Sequence, residues 1–180
     1  VMNDGVTYTK IERNGKNTTI NAYDLKTGEF SITLYTATDA GFNQAVWSAD
    51  ESQLLLLSNP NPIYRRSVKY DVAIVDLKGN KKISLAHQQV LHPTFNPQGT
   101  KVAYVYENDM YIFDIQSQQT TAITKDGQWN NIINGNCDWV YEEEFAFNRA
   151  FDFSADGSML AYIRFDESQV PMYSFPWYKG

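Results

Sequence analysis

Three times along this chain, an aromatic residue at the end of a β-rich segment is followed by a tight turn and a second β-rich segment. The aromatic residues are Trp47, Phe95 and Phe153, which lie 48 and 58 residues apart. Asp, Gly or Pro occupies each turn, as expected for a chain reversal between strands. A recurrence at this spacing predicts a repeat fold in which each period forms one small sheet.

A second set of alternating segments is interleaved with the first. Residues 21–25, 73–77 and 111–115 each precede a short polar turn, a pattern that predicts outer hairpins. Two hairpins per period give four strands, the size of a propeller blade. We therefore predict an all-β fold, a partial β-propeller of about three four-stranded antiparallel blades. The predicted blade-like repeats are 1–40, 41–85 and 86–124, with an insertion at 125–150 and a further blade from 151.

Other architectures explain the pattern less well. Long apolar periodicity of 3.6 residues is nearly absent, which disfavours a helical repeat or a βαβ unit. A β-sandwich would supply short strands but would not require the aromatic–turn–strand unit to recur. Closed propellers usually need more than three repeats, because open ends leave strand edges bare. We expect residues 1–180 to form an incomplete propeller domain belonging to a larger ring.

Composition narrows the possible partners and compartments. The chain is 43% hydrophobic and carries a net charge of −6 with scattered Lys and Arg, so a globular domain that does not bind nucleic acid is expected. The longest aliphatic run, 54–57, is too short to cross a bilayer. The single cysteine, Cys137, excludes an internal disulfide, and Asn17 begins one glycosylation sequon. Together with the family resemblance described below, these features favour a periplasmic, cell-surface or secreted protein of bacterial origin.

The acidity of the chain is concentrated in residues 138–145, which contain four carboxylates beside Trp139 and Tyr141. Without these four acids the formal charge would be −2 rather than −6. Clustered like charges repel unless water or a cation compensates them. The cluster therefore predicts either a pocket for a positive group or a solvated acidic turn. Asp138 is a suitable N-cap for a short helix through Glu144, which would also place acids near the positive end of the helix dipole.

The same segment carries a family resemblance. Residues 138–144 read Asp-Trp-Val-Tyr-Glu-Glu-Glu, and with 151–154, 160–162 and 164–172 they resemble the dipeptidyl peptidase IV family of prolyl oligopeptidase-type serine peptidases. The similarity runs from about residue 64 to residue 178. It implies an eight-bladed propeller that caps a C-terminal α/β-hydrolase domain, and a homodimeric full-length protein. The activity it implies is release of dipeptides from peptide N-termini, with proline or alanine as the second residue.

The resemblance also implies roles for single residues. Glu143 and Glu144 match the pair that grips the free α-amine of the substrate. Arg65 best matches an arginine that contacts the peptide backbone, with Arg66 as the near alternative. Glu142 has no such role in the family, so we expect it to be structural and its substitution to matter less.

Catalytic chemistry is not expected from these 180 residues. They contain no Gly-x-Ser-x-Gly motif, and the family's Ser, Asp and His belong to the hydrolase domain, so the chain alone is expected to hydrolyse nothing. His87 and His92 are expected to have surface or packing roles in a blade connection. Cys137 is expected to be a small semi-buried side chain. No metal and no cofactor are predicted, since no second Cys or near His completes a ligand set.

Two other functions remain open at this stage. One is a tripeptidyl peptidase or endopeptidase of the same family, in which the substrate would be held in a different register. The other is a non-catalytic propeller that serves as a scaffold for protein interaction. A Gly-x-Ser-x-Gly motif with later Asp and His beyond Gly180 would favour the enzyme.

Overall fold

The structure is a computed structural model that describes residues 1–38, 41–79 and 81–176. The predicted end of the first repeat, residue 40, and the end of the family resemblance near residue 178 lie outside the described residues. The prediction of an all-β chain with one short helical insertion is confirmed by the element order. No helix in the described ranges is long and apolar enough to span a membrane.

Three antiparallel sheets follow one another along the chain, in the order of the predicted repeats. In the described residues the first has three strands and the next two have four each, with sequence neighbours paired throughout. The first sheet comprises β1 (Thr7–Asn14), β2 (Asn17–Asp24) and β3 (Phe30–Ala37). The second comprises β4 (Gln44–Trp47), β5 (Gln53–Pro62), β6 (Val68–Asp76) and β7 (Lys81–Ser84). The third comprises β8 (Leu91–Phe95), β9 (Lys101–Tyr106), β10 (Asp109–Asp114) and β11 (Gln119–Ala122).

The remaining elements belong to the insertion and to the next repeat. One helix, α1 (Trp139–Phe145), is preceded by β12 (Ile132–Asn134). The next repeat contributes β13 (Phe151–Phe153), β14 (Leu160–Tyr162) and β15 (Arg164–Asp166). Two short sheets form, β13 with β14 and β12 with β15. The insertion predicted as 125–150 is thus held to the following repeat through β12.

The aliphatic run of β5 is buried on both faces because sheets pack on either side of it. Leu54 and Leu56 point into a core shared with the first sheet, whereas Leu55 and Leu57 point into a core shared with the third sheet. Side chains alternate between the two faces of a strand, so a strand between two sheets has no polar face. All four leucines are at most 4% exposed, and burying each stabilises the fold by roughly 1.5–3 kcal/mol.

The same rule explains β9. Its residues Val102 and Tyr104 face the second sheet, while Ala103 and Val105 face a third core that includes Phe151 of the next repeat. Stacked sheets that each share a core with both neighbours are the packing expected of successive propeller blades.

Strand direction places the long connections together. Because neighbouring strands are antiparallel, the β5–β6 connection and the β7–β8 connection leave the second sheet at the same edge. The β9–β10 turn and the 123–150 segment leave the third sheet at that edge as well. The hairpin at 63–67 and helix α1 therefore lie on one face of the molecule, although some 75 residues separate them in sequence.

Candidate functional site

Helix α1 begins where the sequence supplies a cap. The Asp138 carboxylate accepts a hydrogen bond of 2.9 Å from the backbone N–H of Tyr141, so one of the free amides at the helix start is satisfied. The helix ends after two turns, at Phe145, and the next residue, Ala146, caps it with a left-handed backbone at a φ of 54°. The prediction that Asp138 caps a short helix is confirmed.

Glu142 joins this helix to the distant hairpin at 63–67. Its side chain is 1% exposed, and Ser67 beside it is fully buried. The carboxylate accepts hydrogen bonds from the backbone N–H groups of Arg66 and Ser67 and from the Ser67 hydroxyl. A buried carboxylate is tolerated only when such donors replace water. We call this arrangement the Glu142 latch; it gives physical content to the expected structural role of Glu142.

The latch brings Arg65 and Glu143 together. The Arg65 guanidinium Nε lies 3.2 Å from Glu143 Oε2, with 70% of the Arg65 side chain and 17% of the Glu143 side chain exposed. Glu144, the next residue, is exposed to solvent. The Arg65 guanidinium and the Glu143 carboxylate therefore lie together with unused hydrogen-bonding positions, and Glu144 follows on the exposed side of the same helix.

Arg66, the alternative to Arg65, is oriented differently. Its backbone N–H belongs to the latch, and its carbonyl accepts a hydrogen bond of 3.1 Å from Asn148 Nδ2. Within the part of the chain that the structure describes, its guanidinium has no ion-pair partner, whereas that of Arg65 pairs with Glu143. The geometry thus separates two neighbouring arginines that the sequence left nearly equivalent.

Cys137 directly precedes the N-cap of α1 and stabilises the start of that helix. The thiol is 2% exposed and donates to the carbonyl of Phe147 at 2.7 Å, which ties the two ends of the helical segment together. Burial, followed by the charges of Glu142 and Asp138, raises the pKa of the Cys137 thiol to about 12. Cys137 is more buried than the expected semi-buried position. Among the described residues, no group of three His, Cys, Asp or Glu side chains is placed to hold a metal.

The two histidines pack against neighbouring side chains and do not form a catalytic dyad. His87 Nδ1 lies 2.9 Å from the Tyr104 hydroxyl, and its ring stacks on Tyr106. His92 lies in strand β8 rather than in the connection where the sequence placed it. Its Nε2 is 2.7 Å from Asn136 Oδ1, and burial lowers the pKa of His92 despite that hydrogen bond.

A cavity of about 600 Å³ opens beside the start of α1. Asp138 and Glu167 line it together with the exposed rings of Trp129 and Trp139. Burial, followed by the nearby charge of Asp138, raises the pKa of the Glu167 carboxyl. The acidic cluster beside Trp139 predicted a pocket here, but the other walls of the cavity come from separate segments, among them 63–64, 107–108, 127–130 and 167–172, which carry no local signal.

Ser67 and Asn136 are the structural partners that sequence reasoning missed. Ser67 follows the two arginines and resembles any polar turn residue, and its only detectable signal is its position beside the candidate Arg65. Asn136 precedes the single cysteine in a segment without periodicity. Both residues matter through contacts across 75 and 44 residues respectively, which a local pattern cannot reveal.

Comparison with known proteins gives this geometry a family setting. The model of the dipeptidyl peptidase IV N-terminal region matches residues 48–180. Dipeptidyl peptidase 4 of Trichophyton rubrum is 38% identical over 144 residues, covering 78% of this chain and 18% of the relative. The probable dipeptidyl peptidase 4 of Aspergillus flavus is 37% identical over 133 residues, covering 72% of this chain and 17% of the relative.

Comparison with solved structures gives the same family. Porphyromonas gingivalis dipeptidyl peptidase 4 superposes with a TM-score of 0.87 and 34% identity, over 99% of this chain and 26% of that chain. The tricorn protease, at 13% identity and a TM-score of 0.54 over 87% of this chain and 14% of its own, shares the fold only. The partial β-propeller prediction is confirmed. The chain spans about a fifth of the length of its curated relatives.

Proposed function

Because the chain belongs to the dipeptidyl peptidase IV family, within its N-terminal propeller region, we propose that it holds the N-terminus of a peptide substrate. Glu143 and Glu144 bind the free α-ammonium group, and Arg65 binds the peptide backbone next to it. The intact protein is then a serine-type exopeptidase that releases N-terminal dipeptides with proline or alanine second. The observation that carries this proposal is the ion pair between Arg65 and Glu143 at 3.2 Å.

The residue types suit a free amine. An α-ammonium is cationic at neutral pH and offers three N–H donors. Glu143 gives part of its acceptor capacity to Arg65 and keeps the rest, while Glu144 is exposed and available. Charge-assisted hydrogen bonds to both carboxylates are stronger than bonds between neutral groups.

Selectivity follows from the same carboxylates. An internal peptide nitrogen has one donor and no charge, so it would leave two negative groups without a counter-charge. That mismatch costs on the order of 2–5 kcal/mol, enough to disfavour internal peptide segments. Fixing the amine fixes the distance to the bond that is cut, so the glutamates act by positioning the substrate.

Hydrolysis itself is assigned to a C-terminal α/β-hydrolase domain. Residues 1–180 contain no Gly-x-Ser-x-Gly motif, and neither His87 nor His92 contacts a serine–acid pair. The propeller region would contribute the amine site and would restrict access to the reacting bond.

The test is a kinetic comparison in the intact protein. Glu143→Gln and Glu144→Gln should each lower kcat/KM for an unblocked Xaa-Pro chromogenic amide by about 30- to 1000-fold. Glu29→Gln is the matched control, because Glu29 is an exposed acid at the other end of the chain. Unchanged kinetics in both glutamine variants, with folding intact, would remove the amine-binding assignment. Release of tripeptides instead of dipeptides from an unblocked peptide would keep that assignment but change the register.

A further inference from the structure

A second charged feature lies beside the amine site. A groove of about 350 Å³ runs between the second and third sheets, and two arginines, Arg66 and Arg149, line it together with His92. We propose that this groove receives the side chain of the substrate's N-terminal residue and binds it when that side chain is a carboxylate. This inference rests on the proposed function, since it requires the amine to be held at Glu143 and Glu144.

The groove is positively charged although the whole chain is negative. Among the described residues, the Arg66 guanidinium has no carboxylate partner, and Arg149 pairs only with the exposed Asp152 at 3.4 Å. Arg149 is also 3.3 Å from the Thr94 hydroxyl. Glu142, the buried acid of the latch, binds the hairpin amides and the Ser67 hydroxyl and, among the described residues, forms no ion pair with either guanidinium group.

The walls of the groove suit an aliphatic stem that ends in an acid. Leu57 and Val68 form part of its floor, and the Tyr70 hydroxyl accepts a hydrogen bond from Gln44 at 3.0 Å. A glutamate side chain could lay its methylene groups on this floor and direct its carboxylate to the guanidinium groups. Arginine is well suited to that end because its planar fork can bind a carboxylate through two parallel hydrogen bonds.

Position selects the N-terminal residue as the source of the carboxylate. Arg66, which lines the groove, donates its backbone N–H to Glu142 and accepts a hydrogen bond from Asn148 at its carbonyl, so it is held against the helix that carries Glu143 and Glu144. The side chain of the N-terminal residue leaves the same carbon that carries the amine. It therefore starts beside the hairpin whose Arg66 lines the groove. Without the arginines, two anchoring glutamates would repel an acidic N-terminal side chain.

The test compares matched substrates in the intact protein. The readout is the ratio of kcat/KM for Glu-Pro-p-nitroanilide to that for Gln-Pro-p-nitroanilide. These substrates differ only in the charge of the N-terminal side chain. Arg66→Gln and Arg149→Gln should each lower the ratio by about three- to tenfold, and Arg149→Lys, which keeps the charge but not the planar fork, should give a ratio between those of wild type and Arg149→Gln. Raising the salt concentration should lower the wild-type ratio toward that of the variants.

Lys82→Gln is the matched control, since it removes one positive charge from the exposed outer strand β7. A ratio that is the same in wild type, Arg66→Gln and Arg149→Gln would overturn the proposal. So would an arginine effect seen only between Gln-Pro-Glu-amide and Gln-Pro-Gln-amide, because it would place the carboxylate on the leaving side. Failure of the amine site would be seen separately, as unchanged turnover of Gln-Pro-p-nitroanilide in Glu143→Gln and Glu144→Gln.

Discussion

The carboxylate of Glu142 accepts a hydrogen bond of 2.9 Å from the backbone N–H of Ser67, a residue 75 positions earlier in the chain. Both side chains are buried, at 1% and 0% exposure. This contact holds the helix that carries Glu143 and Glu144 against the hairpin that carries Arg65. The candidate amine site therefore depends on a residue that does not itself face the substrate.

Substitution within the Glu142 latch should lower stability. Glu142→Gln replaces one acceptor oxygen with an NH₂ group that faces existing donors, so we expect the free energy of unfolding to fall by about 2–3 kcal/mol. Ser67→Ala removes one hydroxyl and should lower it by about 1–2 kcal/mol. Urea denaturation measures both values. Glu144→Gln, on the exposed side of the same helix, should change stability by less than about 0.5 kcal/mol. Equal stability of all three variants would show that the latch contributes nothing.

Substitutions in the Glu142 latch should also affect how the substrate is positioned. Because Ser67→Ala leaves Arg65, Glu143 and Glu144 in place, we expect kcat/KM for an Xaa-Pro amide to fall by about two- to tenfold. Glu142→Gln should lower kcat/KM further. An effect of the Ser67 substitution that appears only in thermal stability would assign the latch a purely structural role.

The cap of α1 is a separate contribution. Asp138→Ala removes the acceptor for the Tyr141 N–H and should lower the free energy of unfolding by about 0.5–2 kcal/mol. Asp138→Asn keeps an oxygen at that position and should recover most of the loss. The two variants can be compared by thermal denaturation at one pH. Full loss in the asparagine variant would indicate that the charge of Asp138 is what stabilises the helix.

Stability should fall on mild acidification because of His92. The folded pKa of His92 lies below its ordinary value of 6.5, through burial first and the Arg149 charge after it. Above pH 6.5 the ring is neutral in both states and the full stability is present. As the pH falls below 6.5, His92 becomes protonated in the unfolded chain but stays neutral in the folded chain. The free energy of unfolding therefore decreases until the pH reaches the folded pKa of His92. His92→Gln should flatten the pH dependence of urea unfolding between pH 6.5 and the folded pKa. An identical slope in wild type and variant would contradict this assignment.

Cys137 should resist alkylation. With a pKa raised to about 12, about one thiol in ten thousand is ionised at pH 8, and only the thiolate reacts readily. Iodoacetamide at pH 8 should therefore modify Cys137 slowly in the native protein and rapidly in urea, as followed by mass spectrometry. Fast labelling without denaturant would show that the segment around α1 opens easily.

The repeat pattern, the strand alternation and the helix cap were readable from sequence because each is set by neighbours close in the chain. The run 54–57 is aliphatic because β5 is covered on both faces, and Asp138 caps a helix that starts at the next residue. The family resemblance came from a continuous segment for the same reason. Strand β12, by contrast, was missed because its pairing with β15 has no local signal.

Only the tertiary structure distinguished the three consecutive glutamates. Successive residues of an α-helix are rotated by about 100°, so identical side chains at 142, 143 and 144 meet different surroundings. One enters the core and binds Ser67, the next pairs with Arg65, and the third faces solvent. The sequence alone determined that a capped acidic helix interrupts a propeller repeat. Which glutamate is buried, which pairs with an arginine and which stays exposed was decided by the hairpin that packs against that helix.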